Sequence, residues 1–121
     1  MPAVILQPKN KMKILITGTA GFLGSNLSER LLLEGHQVWG VDNLSTGRLD
    51  SIAHLIENPG FTFKNCSIET KAFFDFCSSA GSFDRVYHLA CPTGVPNISI
   101  LGEEMLRVCS IGTWQVLQVA Q

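Results

Sequence analysis

A glycine-rich segment near the N-terminus, TGTAGFLG (17–24), constrains the fold of this 121-residue chain more than any other feature. Its glycines are spaced G-x-x-G-x-x-G. The apolar run KILIT (13–17) comes before it and predicts a short buried strand. Leucines recur at every fourth position after it, which predicts a helix over 22–34 that ends at Gly35. The segment is therefore expected to be a tight turn between a buried strand and an amphipathic helix.

The same strand-and-helix unit recurs along the rest of the chain. Further strands are expected at HQVWGVD (36–42), FTFKN (61–65) and DRVYHLA (84–90), and further helices at 48–57, 72–80 and 102–121. Strands that alternate with helices pair in parallel through right-handed crossovers. The sequence thus predicts an α/β fold with about four strands in the order 3-2-1-4 and four helices, a partial Rossmann or doubly wound parallel sheet. Residues 1–12 are expected to form a tail and 13–121 one domain.

Composition narrows the class of protein. Hydrophobic residues make up 45% of the chain and charged residues 16%, which is typical of a globular domain. The net charge of −1 argues against a nucleic-acid partner. No apolar stretch approaches the roughly 20 residues that span a bilayer, and Pro8 closes the only apolar run of the N-terminus. A cytoplasmic protein without a membrane segment is expected.

Each glycine of the turn has a distinct physical role in a nucleotide site. Gly18 allows the chain to turn sharply off the strand, and Gly24 allows the helix to pack closely on the sheet. Gly21 leaves room for a pyrophosphate against the backbone, where the N–H groups of the first helical turn would face it. No Lys-Ser/Thr pair follows, which argues against a P-loop nucleotide hydrolase.

An acidic residue, Asp42, ends the second predicted strand 24 residues after Gly18. A carboxylate at this position accepts hydrogen bonds from the hydroxyls of an adenosine ribose and repels a 2′-phosphate, which favours NAD over NADP. The alternative is a glycine-rich helix start followed by an ordinary acid at a strand end. The glycine motif, its position between a predicted strand and a predicted helix, and the acid at Asp42 together favour the nucleotide site.

Other reactive side chains have simpler interpretations. His88 and Tyr87 lie in the fourth predicted strand, where a histidine is more often structural than a catalytic base. The four cysteines show neither a C-x-x-C motif nor zinc-ligand spacing with histidine; they are Cys66, Cys77, Cys91 and Cys109. Reduced, partly buried thiols and no metal site are expected.

The segments ILITGTAGFLGSNL, VDNLSTG, VYHLA and IGTWQVL, in this order, resemble the N-terminal half of extended short-chain dehydrogenases/reductases. These are NAD-dependent sugar-nucleotide epimerases, dehydratases and decarboxylases. From His88 to Thr113 the chain is most similar to UDP-glucuronate decarboxylases. The resemblance covers residues 13–121. It implies NAD as cofactor, a nucleotide sugar as the substrate of the full-length relative, and a possible homodimer of that protein.

The resemblance also implies a set of cofactor-binding residues. They are Gly18, Gly21, Phe22, Leu23 and Gly24 along the pyrophosphate; Asp42 and Asn43 at the adenosine ribose, capped by Ser45, Thr46 and Gly47; Ser67 and Ile68 at the adenine edge; and Leu89 and Ala90 on the nicotinamide side.

The chain departs from the family pattern at three points. Ser67 stands where the family usually has Asp, and Cys109 where it usually has Asn, which implies weaker cofactor binding or a diverged role. The catalytic Tyr-x-x-x-Lys pair is absent, because the sole tyrosine, Tyr87, is followed four residues later by Cys91. No catalytic residue is therefore predicted. We expect a truncated NAD-binding domain that is inactive alone or, alternatively, a non-catalytic module that binds NAD or a partner protein.

Overall fold

A computed structural model describes residues 11–91 and 95–121 of the chain, with backbone only for 95–98. The strands are β1 (Lys13–Thr17), β2 (Gln37–Asp42), β3 (Phe61–Asn65) and β4 (Arg85–His88), and the helices are α1 (Phe22–Leu33), α2 (Lys71–Ala80), α3 (Val95–Arg107) and α4 (Thr113–Ala120). The predicted tail, 1–12, lies outside the described residues apart from its last two. The sequence also predicts that Pro92, Thr93 and Gly94 end the fourth strand, and these residues lie outside the described ranges as well.

The strands form one four-stranded parallel sheet in the order β3-β2-β1-β4. This confirms the predicted fold class and strand order. Thr17, the last residue of β1, is in register with Val41 on one side and His88 on the other. The carboxyl ends of β2, β1 and β4 therefore meet at one edge of the sheet, where the glycine-rich turn also begins.

Helices cover both faces of this sheet. On one face the core is built around α1, and its buried members are Ile14, Ile16, Ala20, Leu31, Val38, Ile52, Leu55 and Phe61. On the other face α2 and α4 contribute, and the buried members are Leu15, Val41, Ile68, Phe73, Cys77, Val108 and Val116. Neighbouring residues of β1 point to opposite faces, as the alternation of a strand requires. In the described ranges, no helix has both the length and the apolarity that crossing a membrane requires.

The predicted helix over 48–57 is wrong. This segment forms two 3₁₀ turns, Leu49–Ser51 and Ala53–Leu55, separated by Ile52 at φ −118°. Ile52 and Leu55 are buried against the α1 face of the sheet, whereas Leu49 and Ile56 are exposed. A spacing of three residues suits a 3₁₀ turn as well as an α-helix. The connection between β2 and β3 therefore buries Ile52 and Leu55 without forming a continuous helix.

The final helix also differs from the prediction over 102–121. It begins earlier, at Val95, is interrupted by non-helical backbone at Leu101, and widens into a π turn at Val108–Gly112 before α4. Gly112 sits so close to Ile68 that a Cβ would lie 2.6 Å from its Cδ1 atom. Val108 is the buried side chain of this π turn, whereas Cys109 is exposed.

Candidate functional site

The turn after β1 is built on a glycine in a left-handed conformation. Gly18 has φ +75°, and its N–H donates to the carbonyl of Val41 at 2.7 Å. A Cβ on Gly18 would lie 2.7 Å from the backbone carbonyl of Leu89, beyond the end of β4. Both the positive φ and this close approach require glycine. The turn is thereby held between the ends of β2 and β4.

The other two glycines of the motif differ in how much space surrounds them. A Cβ on Gly24 would lie 2.0 Å from the carbonyl oxygen of Gly18, so the first turn of α1 packs directly on the glycine turn. A Cβ on Gly21 would meet only that same oxygen, at 3.3 Å. No side chain caps the N-terminus of α1, where Gly21 is the N-cap. The helix therefore presents backbone N–H groups beside an open space, as an anion site requires.

Asp42 is held in place by the backbone around it. Its Oδ2 atom accepts the N–H of Ala20 at 2.9 Å, and its Oδ1 atom accepts the N–H of Leu44 at 2.7 Å. Gly47 packs against the carboxylate, because a Cβ there would lie 2.9 Å from Oδ2. Leu44 has the left-handed φ of 61°, a conformation that is uncommon for leucine. The loop 43–47 thus wraps a buried carboxylate whose oxygens each keep a second acceptor position.

These features surround one cleft at the carboxyl edge of the sheet. It has about 490 Å³ of empty space, part of it open to solvent. Eleven of the predicted cofactor residues line it: Gly18, Gly21, Asp42, Asn43, Ser45, Thr46, Gly47, Ser67, Ile68, Leu89 and Ala90. A crevice outside the carboxyl ends of parallel strands is where open α/β sheets bind their ligands.

The remaining three predicted residues do not line this cleft. The side chains of Phe22 and Leu23 are 82% and 66% exposed at the start of α1, and Gly24 is buried beneath Gly18. The cleft also includes residues that the sequence did not indicate; they are Val41, Cys66, Cys91 and Val108. Val41 and Cys91 adjoin predicted site residues along the chain, whereas Val108 comes from the π turn and has no sequence signal.

An acidic residue of α3 reaches the loop 43–47. The carboxylate of Glu104 accepts the side-chain N–H of Asn43 at 3.0 Å and the hydroxyl of Ser45 at 2.8 Å. This contact has no signal in the sequence, because about 60 residues separate the partners along the chain. Glu104 thus ties the helix that follows β4 to the loop that follows β2, of which Asn43 and Ser45 line the cleft.

His88 bridges the sheet and the final helix. Its Nδ1 atom lies 2.7 Å from the hydroxyl of Thr17, and its Nε2 atom lies 2.9 Å from the hydroxyl of Thr113. The Thr17 oxygen already accepts the N–H groups of Leu89 and Ala90, so its own hydrogen is donated to Nδ1. Nε2 then carries the ring proton and donates it to Thr113.

Thr113 in turn donates its hydrogen to the carbonyl of Cys109 at 2.9 Å. The chain of bonds is complete only with a neutral imidazole, and burial lowers the pKa of His88 accordingly. Both ring nitrogens are occupied by structural partners. His88 therefore fits the structural interpretation and not that of a catalytic base.

Comparison with known proteins decides the family. The sequence profile of the family described as GDP-mannose 4,6 dehydratase matches residues 15–121. The chain belongs to this family of extended short-chain dehydrogenases/reductases. UDP-glucuronic acid decarboxylase 1 of Danio rerio is 35% identical over 120 residues, which is 99% of the chain and 27% of that enzyme.

Solved structures of family members agree with the fold. The epimerase Mth375 of Methanothermobacter thermautotrophicus superposes with a TM-score of 0.80 at 30% identity, covering 92% of the chain and 32% of the epimerase. WbmG of Bordetella bronchiseptica, solved in complex with NAD, gives 0.79 at 28% identity, covering 95% of the chain and 35% of WbmG. The chain spans about a quarter of the length of the decarboxylase and about a third of these structures.

Proposed function

We propose that this chain is the NAD-binding portion of a sugar-nucleotide-modifying enzyme that resembles UDP-glucuronate decarboxylase. The observation that carries the proposal is the cleft that gathers Gly18, Gly21 and the buried carboxylate of Asp42 at one edge of the sheet. The decarboxylase relative and the NAD complex of WbmG support it. In such enzymes the sugar is oxidised by NAD to a keto sugar, loses CO₂, and is then reduced by the NADH so formed to give UDP-xylose.

The residues of the cleft fit an adenine dinucleotide. The open space at Gly21 and the uncapped N-terminus of α1 suit a pyrophosphate, which the helix dipole would stabilise. The remaining acceptor positions of Asp42 suit two ribose hydroxyls. Bound NAD would supply hydride acceptance and return.

The other lining residues would complete the binding of the cofactor. Ser67 and Ile68 would lie at the adenine, and Leu89 and Ala90 on the nicotinamide side. Phe22 and Leu23 would contribute their backbone N–H groups, since their side chains point to solvent. Ser67, which stands in place of the Asp that the family pattern has there, would give one neutral contact to adenine and hence weaker binding.

Cofactor choice tests the role of Asp42. We expect the wild-type chain to bind NAD more tightly than NADP by at least about tenfold, a difference of about 1.4 kcal/mol, because Asp42 repels a 2′-phosphate. Asp42→Asn should reduce that preference while keeping an acceptor for one backbone N–H. Isothermal calorimetry with both dinucleotides measures it. The matched control is Asp50→Asn, since Asp50 is 86% exposed. Equal affinities in the wild type would disprove the ribose assignment.

A second candidate function is a module that binds NAD or a partner without catalysis. Its support is that these 121 residues contain no Tyr-x-x-x-Lys pair and that both nitrogens of His88 are engaged. We expect no release of CO₂ when the purified chain is incubated with NAD and UDP-glucuronate, because the described residues that line the cleft include no tyrosine, lysine or histidine. Detection of NADH and CO₂ is the assay. Turnover by the chain alone would show that these residues do include a catalytic group. His88 would then be the first residue to substitute.

A further inference from the structure

Two cysteines meet at the wall of the cleft. The Sγ atoms of Cys91 and Cys109 lie 2.7 Å apart, although the residues are 18 positions apart in the chain. Cys91 follows directly after Leu89 and Ala90, is half-buried, and lines the cleft. Cys109 lies in the π turn and is exposed. A covalent disulfide has an S–S distance of about 2.05 Å, so the two sulfurs need to move little to bond.

We propose that Cys91 and Cys109 form a reversible disulfide, an oxidative modification site on the wall of the cleft. The oxidant is a small-molecule disulfide, RSSR. The thiolate of Cys109 attacks one sulfur of RSSR, the S–S bond breaks, and one RS⁻ leaves. The Cys91 sulfur, on losing its proton, then attacks the Cys109 sulfur and releases the second RS⁻. The leaving thiolates take up the two protons, so the dithiol is oxidised while RSSR is reduced to two RSH.

The surroundings of the two thiols set this order of attack. Cys109 is accessible to an oxidant in solution. The pKa of Cys91 is raised to about 11 by burial, then by its hydrogen bond with Cys109 and by the charge of the Cys109 thiolate. Because a thiolate is the nucleophile, Cys91 stays protonated at first. Once Cys109 is in a mixed disulfide, the last two of these causes disappear, so the pKa of Cys91 falls, although burial still raises it.

The other cysteines are poor competitors for this reaction. Cys77 is buried, and burial raises its pKa to about 12. Burial also raises the pKa of the Cys66 thiol. A shared metal ion is a weak alternative, since nowhere in 11–91 and 95–121 do three or more His, Cys, Asp or Glu residues form a group that could hold one. The pair is therefore better suited to disulfide chemistry than to metal binding.

The bond would fix one side of the cleft. It would join the chain just beyond β4 to the π turn that His88 and Thr113 already tie to the sheet. Closing an 18-residue separation restricts the unfolded chain, so oxidation should stabilise the fold. The inference does not depend on nucleotide binding and stands or falls separately from it.

Peptide mapping tests the proposal on the intact chain. The protein is equilibrated in glutathione buffers of increasing oxidised fraction, quenched with acid, alkylated and digested with trypsin. Cleavage after lysine and arginine places each cysteine in its own peptide: Cys66 in 65–71, Cys77 in 72–85, Cys91 in 86–107 and Cys109 in 108–121. We expect peptides 86–107 and 108–121 to become disulfide-linked in a monomeric chain, with a rise in Tm of roughly 5 °C or more.

Serine variants separate this bond from other oxidation. In Cys91→Ser, Cys109 should carry one glutathione and the rise in Tm should be lost. The matched control, Cys66→Ser, removes another half-buried cysteine of the cleft and should still give the linked peptides. The proposal is overturned if the wild type carries glutathione on Cys109 with Cys91 still reduced, or if the links join Cys66, Cys77 or two copies of Cys109.

Discussion

The two βα units that flank the cleft differ in how tightly their residues are packed. In the first unit, β1 to β2 (13–42), the side chains of Ile14, Leu15 and Ile16 are fully buried, and the glycine turn leaves no spare space beneath α1. In the second unit, β4 to α4 (85–120), no residue of β4 is fully buried, and the helix is broken at Leu101 and widened in the π turn. The first unit is therefore packed more tightly than the second, and residues of both units line the cleft.

Large apolar side chains are exposed in both units, but within the described residues the first unit has fewer of them, namely Phe22, Leu23 and Leu33. The second unit leaves several large ones in solvent, namely Ile100, Leu106, Ile111, Trp114 and Leu117. Within the described residues β4 is also an edge strand of the sheet, which is a site of unwanted pairing. We infer that the second unit, and not the glycine turn, limits the solubility of the isolated chain.

The largest expected effect on stability is the difference between an alanine placed in the first unit and an alanine placed in the second. Gly24→Ala is expected to lower the free energy of unfolding by about 3 kcal/mol or more, because its Cβ would overlap the backbone of Gly18. Gly102→Ala, in α3, meets no atom within 4 Å and should stabilise the chain by up to about 1 kcal/mol through helix propensity. Urea unfolding followed by circular dichroism measures both. Equal effects would show that the two units are packed alike.

Gly21→Val should separate binding from folding within the first unit. The valine side chain would fill the open space in front of the turn, while its Cβ meets only the Gly18 carbonyl at 3.3 Å. We expect NAD affinity to fall at least tenfold, by about 1.4 kcal/mol or more, with a near-native circular dichroism spectrum. Gly102→Ala serves as the control and should bind NAD like the wild type. Unchanged affinity in Gly21→Val would place the pyrophosphate elsewhere.

The difference between the units also explains which features could be predicted. Strand order and the closeness of Gly18, Asp42 and Ala90 follow from local patterns, because parallel strands bring their carboxyl ends to one edge. The 3₁₀ turns near Ile52 could not be separated from a helix, since both place residues three apart on one side.

Two contacts beside the cleft join elements that are far apart in the sequence, so they depend on how these elements pack together. Glu104 reaches Ser45 from α3, and Cys109 reaches Cys91 from the π turn. Neither pair has a spacing that the sequence could reveal. The π turn ends at Gly112, which packs closely on Ile68, and this contact forms only when the helix lies on the sheet. Sequence patterns thus predict the first unit well and the second unit poorly.

The smallest expected effect on stability concerns the hydrogen bonds of His88, which join the two units. Burial lowers the pKa of His88, so the unfolded chain takes up a proton more readily than the folded one. Stability should therefore be complete at neutral pH and decrease as the pH falls below about 6.5, the ordinary histidine pKa. The physical reason is that a protonated Nδ1 can no longer accept the hydrogen of Thr17.

Replacing the ring isolates this contribution. His88→Gln keeps a donor for Thr113 and removes the titrating group, so its stability should change less between about pH 7.5 and about pH 5.5 than that of the wild type. Thr113→Val keeps the imidazole but leaves its Nε2 hydrogen without this acceptor, which should cost about 1–2 kcal/mol at neutral pH. Urea unfolding at both pH values gives the comparison. If His88→Gln loses stability on acidification as steeply as the wild type, the titrating group that links the sheet to α4 is not His88.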